Sequence, residues 1–352
     1  MKTLSEAQLN RALLARQLLL ERSTISIPAA LEQLAGVQNQ YAPNAYIRLW
    51  SCLRGFQREE LTRAYESGEV VQGTLMRGTI HTVSARDYHA LLAAIRGRLR
   101  AWARRVHRVA DADEEPVRER LIDLVRRRLA GKPMRRAAFE ALLAEANAPA
   151  SLRQTIHTDA EVVRVPPAGT WQRRRADLYG LADDMIGRHE DVAEADGLVH
   201  LVGRYLRGFG PAAAPDLASF TGVPSSTLKP ILSRMELRHF RDVAGRLLID
   251  VSDAPLPPAD APAPVRFLPT WDAILLVHAR RTGVLPERFR PLIFNARAPQ
   301  SFPTVLVDGR VAGTWRFDTA AGRVTVQPFE SLPAGEIEKV EQEAVGLADF
   351  HR

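Results

Sequence analysis

Two stretches of this chain repeat one another, and the repeat restricts the fold to tandem copies of one unit. "LVRRRLAGKPMRRAAF" (124–139) and "LVGRYLRGFGPAAAPDL" (201–217) share Leu-Val, a further leucine, a glycine and a proline in the same order. Each is flanked alike. A helix runs into a glycine–proline turn, a second helix follows (about 134–146 or 213–220), and a third opens at Ser151 or Ser225. An extended stretch comes next in each, "EVVRVPPAGTWQRRR" (161–175) and "LRHFRDVAGRLLIDV" (237–251). Helix–turn–helix–helix plus a hairpin is the winged-helix pattern, a helix-turn-helix variant. Segment 8–83 reads as a weaker third copy.

Local signals fill in the rest. Leu4, Leu9, Leu13 and Leu14 recur at helical spacing, and Ser5 with Gln8 forms a capping box. Pro28 and Pro43 each sit where a first helical turn accepts proline. Residues 70–83 are predicted extended around a break at Arg77–Gly78, and Ser84 with Asp87 caps a long helix over about 85–109. "APLPPADAPAP" (254–264) is a linker. Beyond it come short β-like runs, with Asp308–Gly309 as a hairpin signal and a closing helix at 335–348. The expected division is 1–110, 111–182 and 183–253 as winged-helix units, 254–264 as linker and 265–352 as a β-rich domain.

Charge bears on function. Net charge is +7, from 48 basic residues, and only Lys2, Lys132, Lys229 and Lys339 are lysines. Codon bias in a GC-rich genome explains arginine over lysine. It does not explain a surplus of positive charge, which favours a polyanion such as nucleic acid. The single cysteine, Cys52, excludes a disulfide scaffold and a cysteine-rich zinc site. No apolar run approaches a membrane span and none resembles a signal peptide, so a cytoplasmic protein is expected.

Candidate phosphate contacts follow. Arg96, Arg100, Arg104 and Arg108 recur every four residues on one helix, either as a solvated face neutralised by Asp111, Asp113, Glu114 and Glu115 or as a phosphate-binding stripe. Arg173, Arg174 and Arg175 fall in a predicted wing after Trp171. A strand would place Thr79 and His81 on one face with Arg77. The nine histidines show no convincing metal-ligand spacing. No Walker sequence and no G-x-S-x-G elbow occurs, so nucleotide and serine hydrolases gain no support.

The stretch "VQNQYAP" (37–43) packs three amides together. On a helix, residues two apart diverge by about 200°. In extended chain they face the same way, roughly 7 Å apart. Gly36 weakens the preceding helix and Pro43 pushes Ala42 out of helical conformation, so Gln38 and Gln40 are expected to converge on a non-helical link. They serve either as a polar turn that satisfies helix ends or as a pair that holds a ligand.

Together, "LAGVQNQYAPNAYIRLWSCL", "LMRGTIHTVSARDY", "YLRGFGPAAAPDLASFTGV", "RFLPTWDAILLVH" and "PTVLVDGRVAGTW" resemble the winged-helix alkylpurine DNA glycosylases, the AlkZ/YcaQ family, over nearly the whole chain and in family order. The resemblance implies a mainly α fold with β (α+β): three tandem winged helices and a C-terminal β-barrel-like domain around a concave DNA-binding channel. It implies a Q-x-Q active element at Gln38 and Gln40, closer to the branch acting on bulky adducts and crosslinks than to the Q-x-D branch. The middle residue, usually aliphatic, is Asn39 here, and if buried it requires a hydrogen-bond partner.

The expected activity is hydrolysis of the N-glycosidic bond of N7-alkylated purines in double-stranded DNA, by water that Gln38 and Gln40 position. An abasic site is left. Arg77, Thr79, His81, Arg100, Arg104 and Arg173–Arg175 are the expected DNA contacts. No lysine lies near the glutamine loop in sequence, which favours a monofunctional enzyme. No cofactor, no metal, no membrane and a monomeric state are expected. The alternative is a non-catalytic winged-helix regulator, which has no need of the glutamine loop. A third reading is a scaffold protein whose basic surface only reflects composition.

Overall fold

The computed structural model describes residues 1–109, 111–276, 282–295 and 300–352. Val277 and His278, the end of one family-like segment, lie outside the described residues. The chain opens with strand β1 (Lys2–Leu4) and helices α1 (Glu6–Arg16) and α2 (Ile27–Gln33). Strand β2 (Val37–Gln38), helices α3 (Pro43–Cys52) and α4 (Arg58–Glu66), and strands β3 (Val70–Thr74) and β4 (Ile80–Ser84) follow. The long helix α5 (Ala85–His107) leads to α6 (Asp111–Leu129), β5 (Met134–Arg135), α7 (Arg136–Glu145), α8 (Ala150–Asp159), β6 (Val162–Arg164) and β7 (Leu178–Leu181). After α9 (Ala182–Ile186) come α10 (Glu194–Phe209), α11 (Ala214–Thr221), α12 (Ser225–Leu232), β8 (Leu237–Asp242) and β9 (Leu247–Val251). The order helix, short strand, two helices, two strands thus recurs. In the last copy the short strand is reduced to one bridge, Ala212 to Ile249.

The first two copies share one sheet. Its strands run β2-β4-β3-β6-β7-β5, joined where β3 pairs antiparallel with β6 (Gln72 with Arg164, Gly73 with Val163). Gly73 allows this. A Cβ there would lie 2.5 Å from the Tyr88 ring, so α5 packs flat on the join. The expected extended run 161–175 is strand only at Val162–Arg164. Pro166 and Pro167 have no N–H to donate, the ladder stops, and the returning strand is β7, beyond the predicted run. The second copy also has its own small core of Leu121, Val125, Phe139, Leu152, Ile156 and Tyr179.

The N-terminus departs from expectation. Residues 2–4 are strand rather than helix, and β1 lies parallel to β8, Lys2 opposite Phe240. The predicted capping box then starts α1: Gln8 N–H donates to Ser5 Oγ and Ser5 N–H to Gln8 Oε1, both at 3.1 Å.

The C-terminal part holds β10 (Arg266–Leu268), the short helices α13 (Ala273–Leu276) and α14 (Arg290–Ile293), β11 (Phe294–Asn295), β12 (Gln300–Ser301), β13 (Thr304–Val307), β14 (Arg310–Asp318), β15 (Arg323–Pro328) and α15 (Ala334–His351). Asp308 and Gly309 both take positive φ (46° and 75°), as a two-residue hairpin requires. The sheet β10-β13-β14-β15 is open. Among the described residues no pairing closes it into the expected barrel. Helix α15 docks on the first two copies, where Phe350 meets Trp50 and Phe56 of the first and Trp171 of the second, and Arg22 pairs with Glu343 at 2.6 Å.

The linker is pinned rather than free. Arg16 donates to Pro255 O (3.1 and 3.0 Å) and Arg11 to Ala261 O (2.7 Å). Arg16 also grips Asp250 through two bonds (2.6 and 2.9 Å), with both side chains fully buried. This pair ties α1 to β9. Removing one partner strands the other charge in the interior. Asp250→Ala should therefore lower stability by about 3–5 kcal/mol, read as a drop in the urea midpoint. A loss under about 1 kcal/mol would be inconsistent with a buried pair.

Candidate active site

The glutamine link is built by a turn and a register. Ala35 and Gly36 both take positive φ (57° and 79°), and a Cβ on Gly36 would meet Val83 Cγ1 at 2.8 Å. The turn feeds the two-residue strand β2 into the edge of the sheet, with Val37 opposite Thr82 and Gln38 opposite His81. Asn39 N–H donates to Ile80 O at 2.7 Å. Gln38 and His81 thus share a face, and Asn39 takes the other.

Two donor-only groups fix the glutamine amides. Gln38 Oε1 accepts from Arg77 Nη2 at 2.9 Å, and Gln40 Oε1 accepts from the Ile80 N–H at 3.1 Å. Neither donor can accept, so both amide orientations follow from bonding. Each amide nitrogen keeps its N–H donors, and each oxygen keeps one lone pair. Gln38 is buried and Gln40 exposed. The expected non-helical link is present, with both residues on it.

Asn39 is buried and partnered. With its nitrogen turned to the carbonyls of Tyr41 and Ala42 (2.9 and 3.2 Å), its oxygen accepts from Thr82 Oγ1 at 3.2 Å. The Thr82 hydroxyl in turn lies 2.6 Å from the Tyr65 hydroxyl. The polar residue at a usually aliphatic position is thereby satisfied.

Arg77 lies in a turn at the expected break, and so off the strand face that Thr79 and His81 were expected to share with it. It sits in a 3-10 turn (Met76–Gly78) at φ 59°, a conformation rarely taken by a residue with a Cβ. Its other nitrogen donates to Phe220 O at 2.7 Å, and its guanidinium lies over the Phe220 ring. Burial pushes it down to about 10, so it remains charged at neutral pH. Thr79 Oγ1 donates to Met76 O, and His81 Nδ1 lies 3.1 Å from Thr79 O. His81 is 2% exposed and forms a wall behind Gln38 rather than a surface contact.

The segment after Trp171 joins this group. Arg174 Nη1 donates to the Tyr41 hydroxyl at 2.6 Å, and its guanidinium lies over Tyr41 and Trp171. The side chains of Arg173 and Arg175 are exposed. Beside Tyr41 a cleft of about 1220 Å³ opens, lined among others by Arg174, Trp315, Arg316, Phe317 and His351. The arginine stripe of α5 lies elsewhere. Arg96 pairs with Glu161 (2.6 Å) and Arg100 with Asp159 (2.7 Å), while Asp159 also holds the buried Arg118 (2.7 Å). Arg100 thus binds α5 to α8. Its acid is Asp159, while Glu114 and Glu115 of the expected 111–115 cluster serve Arg118. The side chains of Asp111 and Asp113 lie outside the described residues. Arg104 lies in the last turn of α5.

Among the described residues, one carboxylate lines the small cavity next to Gln38. Asp272 is committed to Arg48 (3.0 Å) and the Ile274 N–H (2.9 Å). Sequence reading missed Phe220, Tyr41 and Asp272. Phe220 and Asp272 lie far from the glutamines in sequence, and no spacing signals them. Tyr41 was adjacent but carried no sign of a partner.

Burial presses His81 and His157 down to about 3 from the ordinary 6.5, with Arg77 adding to the effect at His81 and Arg164 at His157. Both stay neutral in the fold, while the unfolded chain takes up protons below about pH 6.5. Stability should therefore be full above that pH and fall as acid is added, until about pH 3. Near pH 5 the loss should be on the order of 2 kcal/mol for each histidine. Urea unfolding at pH 7.5 and 5 measures it, and equal midpoints would contradict it.

Comparison with known proteins bears on the family and the fold. The family model described as "DNA glycosylase AlkZ-like" matches residues 31–350. Among solved structures, the Streptomyces sahachiroi DNA glycosylase AlkZ superposes with a TM-score of 0.80 at 20% identity, covering 100% of this chain and 97% of that one. A search of curated proteins found no match. No helix among the described residues is long and apolar enough to cross a membrane. With the family model spanning nearly all of the chain, this protein belongs to the AlkZ-like DNA glycosylase family.

Proposed function

We propose that the protein hydrolyses the N-glycosidic bond of N7-alkylated purines in double-stranded DNA, with Gln38 and Gln40 holding the attacking water. The three recurring copies act as winged-helix units whose basic surface seats the duplex in a concave channel. The observation that carries the reading is the pair of glutamine amides with their carbonyls held by Arg77 and Ile80. An amide locked in this way keeps N–H donors and one acceptor lone pair in a fixed direction, and so orients water without taking its proton.

The chemistry suits such a site. A purine alkylated on N7 is cationic, and it leaves as a neutral base when the C1′–N9 bond breaks with its electron pair. Protonation by an acid is then unnecessary, in contrast to the paired carboxylates of ordinary glycosidases. Water adds to C1′ and its proton passes to solvent. Asp272, the nearby carboxylate, is engaged by Arg48. The four lysines lie on β1, after α6, on α12 and on α15. This supports a monofunctional enzyme that leaves an abasic site.

Arg77, which has no carboxylate partner among the described residues, takes a DNA phosphate. Thr79 and His81 position the strand behind Gln38. Arg173–Arg175 lie along the backbone. The large cleft beside Tyr41 supports a bulky adduct or a crosslink as the substrate.

In a single-turnover assay on N7-alkylguanine DNA, the Gln38→Ala, Gln40→Ala variant should release base at least about 100-fold more slowly while still binding DNA. Unchanged release would overturn the proposal. Arg173→Glu with Arg175→Glu should weaken binding to all sequences alike. The slope of log affinity against log salt should become shallower by about one for each phosphate that is no longer neutralised. Binding titrations at several salt concentrations measure this.

A further inference from the structure

A further cavity, of about 400 Å³, lies where the three copies meet. Helix α5 of the first copy supplies Arg98 and Trp102 to its wall, α8 of the second supplies Gln154, and Gly222 comes from the turn after α11 in the third. Arg77 lines it too, whereas Gln38 and Gln40 do not. Its size is within the range of small-ligand pockets, about 300–1,000 Å³.

The charge around this cavity has one sign. Arg98 Nε donates to Gly222 O, and Arg77 Nη1 donates to Phe220 O at 2.7 Å. Both guanidiniums are thus held by carbonyls at the end of α11. Among the described residues neither meets a carboxylate, and no Asp or Glu lines the cavity. Thr74, also in the wall, accepts from Arg164 Nη1 at 2.7 Å. Arg164 is buried, its Nε has no partner, and it too meets no acid among the described residues. Guanidiniums fixed by neutral partners keep their charge for an anion.

The same wall carries an aromatic ring that faces water. Trp102 is 39% exposed, and Arg105 and Val106, on the next turn of α5, are exposed as well. A ring beside fixed cations offers what a single nucleotide needs, a face for its base and donors for its phosphate. Phosphate alone would not call for the ring. In paired DNA each base face is covered by its neighbours, so a side chain can stack only on a base that has left the stack.

We propose that this cavity holds one unpaired nucleotide of the DNA, with its phosphate between Arg77 and Arg98 and its base against Trp102. The proposal rests on the reading of the protein as a glycosylase of double-stranded DNA. The nucleotide is not the lesion, because the glutamines do not line the cavity. Holding it keeps a distorted duplex open next to the glutamines, and Arg77, bonded to Gln38, joins the two places.

Undamaged DNA provides the test, since no base need be released. In anisotropy titrations at fixed salt, the full-length protein should bind a duplex with one bulged nucleotide at least about fivefold more tightly than the fully paired duplex. Replacing the bulged nucleotide by an abasic residue should remove that preference. Trp102→Ala should weaken binding to the bulged duplex about tenfold and leave the paired duplex nearly unchanged, while Trp102→Phe should keep most of the preference. Arg98→Gln should make the slope of log affinity against log salt shallower by about one. Lack of a preference in the wild type, or its survival in Trp102→Ala or with the abasic bulge, would overturn the proposal. Base release from N7-alkylguanine DNA tests the glycosylase reading separately, so a wild type that releases base but ignores the bulge would overturn this proposal alone.

Discussion

The pairing of β2 with β4 decides what the site can be. A strand of two residues has little ladder to hold it, yet a slip of one residue would exchange its faces. Gln38 would turn toward Thr82 and Gln72, and Asn39 would face Arg77. Three features prevent the slip. Gly36 is tucked against Val83 where no side chain fits. The Asn39 N–H is bonded to Ile80 O. The side chain of Gln40 then accepts the Ile80 N–H, adding one more rung where the backbone has already left the sheet. Gln40 is thus both a member of the site and part of the register that builds it.

The arginine surplus divides into two groups. Arg16, Arg96, Arg100 and Arg118 meet carboxylates inside the protein and join segments that are distant in sequence. Their geometry is that of staples, and each would cost stability if cut. Arg77 and Arg174 are different. They are held by carbonyls, a hydroxyl and aromatic rings. Neutral partners fix a guanidinium in place without cancelling its charge, which leaves it available to an anion. Net charge alone could not separate the groups, because the separation depends on which acidic residues the fold brings near.

Much of the architecture was legible because it rests on local chemistry. The repeat, the Ser5–Gln8 cap, Pro28 and Pro43 at helix starts, and the Asp308–Gly309 turn all act within a few residues. The glutamine link was legible from Gly36, whose positive φ opens it, but Ala42, expected out of helical conformation before Pro43, takes helical φ and ψ. What the sequence hid was long-range. No local signal tells that β1 joins a strand 238 residues on, that Phe220 holds Arg77, or that Asp159 claims Arg100. The arginine stripe was visible, but nothing local shows that Arg96 and Arg100 meet Glu161 and Asp159, some sixty residues on. The break at Arg77–Gly78 was legible, but the left-handed conformation Arg77 takes there reflects tertiary contacts that outweigh local preference.

That turn links the fold to the chemistry. Arg77 keeps a positive φ, and its two nitrogens divide between a carbonyl of α11 and the amide of Gln38. The third copy therefore reaches into the first and sets the direction of a glutamine that the first copy alone would leave free to rotate. Lysine could not do this, because a single ammonium on a flexible stem has no fixed fork to span two acceptors. A site made of neutral amides has no ionic bonds to hold its own geometry. It depends on a charged neighbour with fixed directions, and here that neighbour is supplied through the packing of two copies of the repeat. On this argument the tandem architecture does more than repeat a unit: contact between copies is what orients Gln38.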